Sequence, residues 1–493
     1  MPNLRIRVST IAIAVLVSSA LGGFAATSAA AAPADPCSAA YPSFGVGNWP
    51  PACWRPYADT SPFNVPIPPN PKLNPRSAQI VQRLLEQGPP TAARAGISQS
   101  GGDFGKPLYW ARTTDPLVTV HGSAPVEGDR IRVPSGARPA DGGDAHMTII
   151  QPDGWEYDFW RAQAPAGGAL NVETGRKMRV DGDGFGNGVV AARFGNLAGR
   201  VRAQEMEGGL INHALEIAVV CTSGQYVWPS VRAGSKCSNP TDAPSLGDRF
   251  QLALSDAQIA AMPVPSWKKT ILRALAHYGA YVGEESSHWS LFGFESGATY
   301  TSFGLPDEVA VFAQRSGIRQ SSDGVYYFRM DDINWARYMR VVDSSVARTA
   351  PASTLGALRL RRLSVKPRRF RAARGGRSAR RKRARRGAAI RYRLSAPASV
   401  TFAIARVAKG RKVRGHCRRP SHNNRRGRRC RRELGVGSFS AGAVRGLNAT
   451  PFSGRLGRKR LRPGAYRLTA VAVDATGVRS KPKRAGFRVL RSR

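Results

Sequence analysis

The densest group of side chains able to do chemistry lies in residues 144–160, Asp-Ala-His-Met-Thr-Ile-Ile-Gln-Pro-Asp-Gly-Trp-Glu-Tyr-Asp-Phe-Trp. Gln-Pro-Asp-Gly suits a type I turn with glycine in the left-handed position, so the run reads as a hairpin that pairs Gln151 with Trp155. Strand alternation then places Met147, Ile149, Tyr157 and Phe159 on one apolar face. The other face receives His146, Thr148, Ile150, Glu156, Asp158 and Trp160. An imidazole, two carboxylates and an indole on one surface suit carbohydrate chemistry. The indole stacks on a sugar ring, and the titratable groups move protons at its oxygens. The plain alternative is a solvated outer face with a chance tryptophan.

A second candidate is the run 208–217, Gly-Gly-Leu-Ile-Asn-His-Ala-Leu-Glu-Ile. Alternation puts Ile211, His213, Leu215, Ile217 and Val219 on one side, with Asn212, Ala214, Glu216 and Ala218 on the other. Read plainly, His213 is a hydrogen-bonded core histidine. Read functionally, it meets His146 and Asp158 in one cleft. A glycoside hydrolase would use Asp158 with Glu156 or Glu216 as acid and base. A polysaccharide lyase would abstract a proton with His146 or His213, with Tyr157 or Tyr226 as the acid. Trp160, Tyr226 and Trp228 are the sugar-stacking candidates.

Asp181, Asp183 and Asn187 are spaced in a glycine-rich loop that could ligate calcium. The loop departs from an EF-hand, because Phe185 occupies a ligand position and no glutamate closes it. A tight glycine turn is the simpler reading. Of the other histidines, His121 reads as a loop residue, His277 as an exposed helix residue and His288 as a rim residue. No Gly-x-Ser-x-Gly elbow, Walker loop or His-Glu-x-x-His occurs. Gly186 and Gly188 lack the leading strand of a dinucleotide fingerprint. These absences argue against the common α/β serine hydrolases, NTPases, dehydrogenases and zincin proteases.

The elements that carry these residues are mainly strands. Leu108-Tyr109-Trp110 and many later runs are short apolar alternations broken by glycine, proline and aspartate. Three short helices stand out. Asn74 and Pro75 open one that carries Ile80, Val81, Leu84 and Leu85. Ser255 and Gln258 form a capping box for the second. Ser266 opens a third, which Gly279 ends. Such a pattern predicts an all-β chain with two or three short helices: a jelly-roll or β-sandwich-like main domain and a smaller sandwich after it.

Six cysteines fall in three local groups, which predicts the pairs Cys37–Cys53, Cys221–Cys237 and Cys417–Cys430. Each closes a loop of about 15 residues, worth about 3 kcal/mol in the chain-entropy view. Zinc is disfavoured, because no Cys-x-x-Cys occurs and only the last pair has histidines nearby, His416 and His422. Disulfides agree with the N-terminus. Arg5 and Arg7, an apolar stretch at 11–21 and small residues at 25–32 read as a secretory signal over residues 1–32. No transmembrane segment is expected, and the mature chain is expected outside the cell.

The formal net charge of +43 is unevenly placed. Residues 1–350 hold 31 Lys and Arg against 30 Asp and Glu, whereas residues 351–493 hold 44 against two, Glu433 and Asp474. Residues 371–386 alone carry nine basic side chains in 16, which predicts a solvated loop over 371–388. That run lacks the interleaved aromatics of a single-strand nucleic-acid site, so no physiological nucleic acid is expected. Anionic polymers outside the cell, teichoic or uronic-acid glycans, are the expected partners.

The hairpin ending in Phe159-Trp160-Arg161-Ala162, the strand His213-Ala214-Leu215, the run Tyr226-Val227-Trp228-Pro229 and the segment 267–283 occur in an order that resembles a family of secreted bacterial β-domains. The resemblance covers about residues 120–340. It implies a common extracellular domain and no particular activity. Residues 463–474, with Tyr466 at a corner position, resemble the penultimate strand of bacterial immunoglobulin-like or fibronectin-III-like domains. The expected organisation is a signal (1–32), a proline-rich segment with one helix (33–106), a main β-domain (107–350) and a basic immunoglobulin-like domain (351–493). Two functional expectations follow. One is a secreted polysaccharide hydrolase or lyase acting at the His/Asp/Trp face. The other is a non-catalytic cell-envelope or matrix glycan-binding protein held by its basic end.

Overall fold

A computed structural model of the chain describes residue 37 and residues 44–88, 93–95, 103–122, 125–291, 293–345, 358–373, 387–396, 398–413, 416–443, 445–456, 459–473 and 479–491. The expected signal segment 1–32 and the stretch 374–386 of the basic run lie outside the described residues. Two compact units are distinguished. The described part of one is Lys409–Arg432; the other runs through Ala34–Ala408 and Glu433–Arg493.

In the larger unit, strands dominate, as the alternations predict, with seven short α-helices among the described residues. A six-stranded sheet runs in the order Leu108–Trp110, Met147–Ile150, Trp155–Ala162, Ala169–Arg179, Leu117–His121, Arg130–Arg132. A five-stranded sheet runs Ser290–Leu291, Leu215–Val219, Ala280–Glu285, Arg249–Leu252, Met339–Val342. Both are mixed: Leu108–Trp110 pairs in parallel with Met147–Ile150, and Leu215–Val219 with Ala280–Glu285. One core joins Leu108, Trp110 and Ile150 of the first sheet to Leu215, Ile217, Phe250 and Val282 of the second. Another core lies on the opposite face of the first sheet, where Tyr109, Met147, Ile149 and Phe159 share a cluster with Val126 and Val133. The six-stranded sheet therefore has both faces covered around its hairpin.

The first helix spans Ser77–Leu85, two residues later than Asn74-Pro75 suggests, because Asn74 Oδ1 accepts the N–H of Arg76 outside the helix. Ile80, Val81 and Leu84 are its buried face. The Ser255–Gln258 capping box forms as expected, and the helix Ser266–His277 stops before Gly279 at φ 69°.

Toward the C-terminus, Leu360–Lys366, Ala388–Leu394 and Gly446–Phe452 form one antiparallel sheet. Lys483–Val489, Gly464–Val473 and residues 399–406 of the strand Ala398–Val413 form a second. Ile390, Tyr392, Phe402, Leu468, Phe452 and Phe487 fill the space between them as a sandwich core. Cys37 and Cys53 pack with Leu210, Val471 and Val473. All three disulfides join the sequential pairs. No helix of the described residues is long and apolar enough to cross a membrane.

Candidate functional site

The hairpin has the register that its turn chemistry requires. Gln151 donates to Trp155 O at 2.7 Å, and Gly154 takes φ 88°. Met147 lies opposite Phe159, Thr148 opposite Asp158, Ile149 opposite Tyr157 and Ile150 opposite Glu156. The apolar face is core, as expected. The polar face is not on the surface: Thr148, Ile150, Glu156 and Asp158 are each fully buried, and His146 is 5% exposed. Residues 195–201 cover it. Their irregular backbone needs acceptors, and the carboxylates supply them. Asn196 donates its N–H to Asp158 Oδ2 at 3.0 Å, and Leu197 donates to Glu156 Oε1 at 3.0 Å. The Tyr57 hydroxyl donates to Glu156 Oε2 at 2.9 Å, and Asn196 Nδ2 to Thr148 Oγ1 at 2.9 Å. Trp160 is half-exposed. Its Nε1 donates to Asp144 Oδ1 at 3.0 Å, and the Arg161 guanidinium lies 4.3 Å from its ring centre.

Burial sets the electrostatics of this face. It pushes Glu156 up to about 7. Asp158 is driven well above the usual carboxylate range by burial and then by the Glu156 charge beside it. His146 is driven well below its usual value by burial, then by the cations Lys106 and Arg200. Its imidazole is therefore neutral at pH 7. Two carboxyls that hold protons beside a neutral imidazole have the makings of an acid–base site, but one closed from solvent.

Across from this face stands a buried ion cluster that the sequence did not reveal. Arg200 donates to Glu216 Oε2 at 2.7 Å, and Lys106 Nζ lies 3.6 Å from the same oxygen. Lys106 is 3% exposed and Arg200 4%. Both feel the charges of Glu284 and Asp158. Glu284 accepts the N–H of Ala191 at 3.0 Å and is pushed by burial up to about 7. His146, Asp158, Glu156 and Glu216 thus belong to one internal network at the meeting of the two sheets. Nothing local marks Lys106 or Arg200 as buried, because their partners lie far along the chain.

His213 belongs to another network. Its Nε2 faces Glu205 Oε1 at 3.1 Å and its Nδ1 faces Ala214 O at 2.8 Å. Glu205 also takes Arg202 at 2.8 Å, and Arg202 lies 5.1 Å from the Trp54 ring centre. Neither hydrogen bond of His213 reaches His146 or Asp158. The structure therefore brings His146 and Asp158 into one network and gives His213 separate partners.

Two of the three calcium candidates have side-chain partners in the protein, while the third, Asp183, is exposed and engaged through its backbone carbonyl, by Ser61 at 2.7 Å. Asp181 receives Arg179 through both oxygens at 2.9 Å. Asn187 accepts Arg176 at 3.2 Å and donates to Lys177 O at 2.8 Å. No group of three or more His, Cys, Asp or Glu able to hold a metal occurs among the described residues. Tyr226 is 52% exposed and Trp228 is half-exposed, packed edge-on against Phe185. Trp289, beside the expected rim residue His288, is fully buried.

The smaller unit is a basic hairpin. Lys409–Arg432 carries 12 Lys and Arg and no acid. Arg411 lies opposite Arg418, Lys412 opposite Cys417 and Val413 opposite His416. Cys417 is bonded to Cys430. Like charges placed directly opposite each other on neighbouring strands destabilise the pair. Among the described residues no carboxylate pairs with any of these cations, and Arg418, Arg425, Arg426, Arg428, Arg429 and Arg431 are exposed. No protein-family model matches the chain, and no curated protein is significantly similar to it.

Proposed function

We propose that the protein is an extracellular, non-catalytic glycan-binding protein of the cell envelope or matrix, held on anionic polymers by its basic C-terminal part. The observation that carries this reading is the hairpin Lys409–Arg432. It is closed by a disulfide and keeps Arg411 against Arg418 with no internal counter-charge. Such a surface gains free energy when polyanion charges replace the counterions it would otherwise collect. Arginine rather than lysine predominates, which suits planar two-point contact with carboxylate or phosphate.

The test uses the full chain and immobilised sodium polygalacturonate across a salt series. Binding should weaken steadily with salt. The triple variant Arg418→Gln, Arg429→Gln, Arg431→Gln should bind more weakly at low salt and lose part of the salt dependence. Equal binding by the triple variant would overturn the reading.

A second reading, a polysaccharide hydrolase or lyase, draws support from one observation: Glu156 and Asp158 are adjacent carboxyls held protonated near neutrality. It requires residues 195–201 to lift away from the hairpin. A screen of acidic and neutral polysaccharides tests it. Activity lost in Asp158→Asn, with the fold intact by circular dichroism, would favour it. No activity on any substrate would count against it.

A further inference from the structure

Within the larger unit, Arg193, Arg232 and the half-exposed rings of Phe185 and Trp228 are carried by loops tied to one another, with Arg176 bonded to the Gly-rich loop of Phe185 through Asn187. Arg176 lies near the end of the strand Ala169–Arg179. Arg193 sits in a loop with φ 65°, a left-handed conformation that arginine seldom adopts. Arg232 and Trp228 share the loop closed by Cys221 and Cys237. Hydrogen bonds tie these pieces together. The Arg193 carbonyl accepts the N–H groups of Gly186 at 2.7 Å and Gly188 at 3.2 Å, which fixes the loop of Phe185 on Arg193. The Ser230 hydroxyl lies 3.2 Å from Ala192 O and 2.8 Å from Arg232 O, which fixes the Arg232 loop on the same segment. Trp228 meets Phe185 edge to face at 5.6 Å, and Tyr226 and Val231 stand exposed in the same loop.

None of the three guanidiniums has a carboxylate partner among the described residues. Arg176 reaches only the Asn187 amide, and Arg193 only the Gly188 carbonyl at 3.5 Å. Arg176 Nε is buried without any hydrogen bond. The cations also act on one another: partial burial, then Arg176 and Arg232, lower the Arg193 pKa. Elsewhere in this unit surface arginines such as Arg138, Arg161 and Arg179 hold carboxylates. An uncompensated cationic group on loops that also present aromatic rings is complementary to a ligand that is anionic on one edge and apolar on one face.

We propose that this patch is a binding site for a hexuronate residue of an acidic polysaccharide, with Trp228 and Tyr226 under the sugar's C–H face and Arg193 and Arg232 on its carboxylate. A guanidinium meets a carboxylate in a planar fork, and an axially hydrogenated sugar face packs on an indole. The choice of an acidic glycan rests on the reading above; the site itself does not use the basic hairpin. It would supply what charge alone cannot, discrimination of the sugar ring.

The test uses the full chain with trigalacturonic acid, followed by tryptophan fluorescence and calorimetry, beside maltotriose and inorganic phosphate. Trigalacturonic acid should bind, and the neutral trimer should not. Arg193→Gln, Arg232→Gln and Trp228→Ala should each weaken binding roughly tenfold or more, while Trp228→Phe keeps most of it. Arg232 is exposed, so its variant tests the site without touching the core. The triple hairpin variant should bind the trimer as the unaltered chain does, even if it no longer holds polygalacturonate. Absence of trimer binding would overturn the site. So would loss in the hairpin variant with retention in Arg232→Gln, or displacement by phosphate at equal concentration, which would reduce it to a simple anion site.

Discussion

Leu197 donates its backbone N–H to Glu156 at 3.0 Å, although 41 residues separate them. That bond explains why a polar strand face lies inside the protein. The segment around Asn196 and Leu197 has no strand neighbour to satisfy its N–H groups, and buried donors left unpaired are costly. Glu156 and Asp158 satisfy them, and in return lose contact with water. Their proton affinity rises as a consequence of this structural duty.

The pH dependence of stability should reveal these groups. Burial raises Glu156, Glu284 and Glu295 from 4.5 to about 7, and Asp158 is raised as well. Each binds its proton more tightly in the folded chain than in the unfolded one. The stability they contribute is complete below the unfolded carboxylate range and is lost as pH rises through about 7. His146 acts in the opposite direction, since its neutral ring opposes folding in acid below 6.5. Four carboxyls outweigh one imidazole, so the melting temperature should fall between about pH 5.5 and pH 8. Glu156→Gln should remove about one proton from that slope and gain on the unaltered chain as pH rises. Calorimetric melts across the interval check this, and a rising melting temperature would contradict it.

Glu205 holds two buried side-chain donors, Arg202 at 2.8 Å and His213 at 3.1 Å, with side chains at most 2% exposed. Glu205→Ala strands the Arg202 cation in the interior, which costs about 3–5 kcal/mol. His213→Gln should cost less, about 1–3 kcal/mol, because Arg202 keeps its partner. Urea unfolding followed by tryptophan emission measures both. Similar losses in the two variants would mean that Glu205 serves His213 more than Arg202.

The hairpin register was legible because a period of two, read with Gln-Pro-Asp-Gly, leaves one alternation that buries Met147, Ile149, Tyr157 and Phe159. The disulfides were legible because each pair is isolated, at separations of 16, 16 and 13. The fate of the polar face was not legible. Alternation distinguishes the two faces but does not tell water from a covering loop, and Asn196 and Leu197 are remote in sequence. Lys106 and Arg200 escaped for the same reason, since only the folded chain brings them to Glu216. The basic excess was plain as composition, yet that Arg411 stands opposite Arg418 depends on pairing. Arg193 and Arg232 are unremarkable in sequence and become a group only through Ser230.

Gly410 packs the first strand of the basic hairpin directly against its disulfide. A methyl group at Gly410 would meet Cys417 Sγ at 2.4 Å, and the Arg418 carbonyl oxygen and Arg432 Cγ at 3.0 Å each. Arg432 can swing aside, but the Arg418 carbonyl is backbone and Cys417 is fixed by its bond to Cys430, so the closest clash, at Cys417 Sγ, falls on the disulfide. Gly410→Ala should therefore leave a measurable fraction of chains with about two free thiols, since the open form escapes the clash. The reduced hairpin no longer has a covalent closure against the repulsion of Arg411 and Arg418, so trypsin should cut it faster. Gly435→Ala is the matched control, because nothing lies within 4 Å of the added methyl group. Thiol titration under denaturing conditions and timed trypsin digestion measure the two effects. Complete disulfide formation in Gly410→Ala, with digestion no faster than in the control, would show that the hairpin relaxes around the methyl group and does not require glycine there.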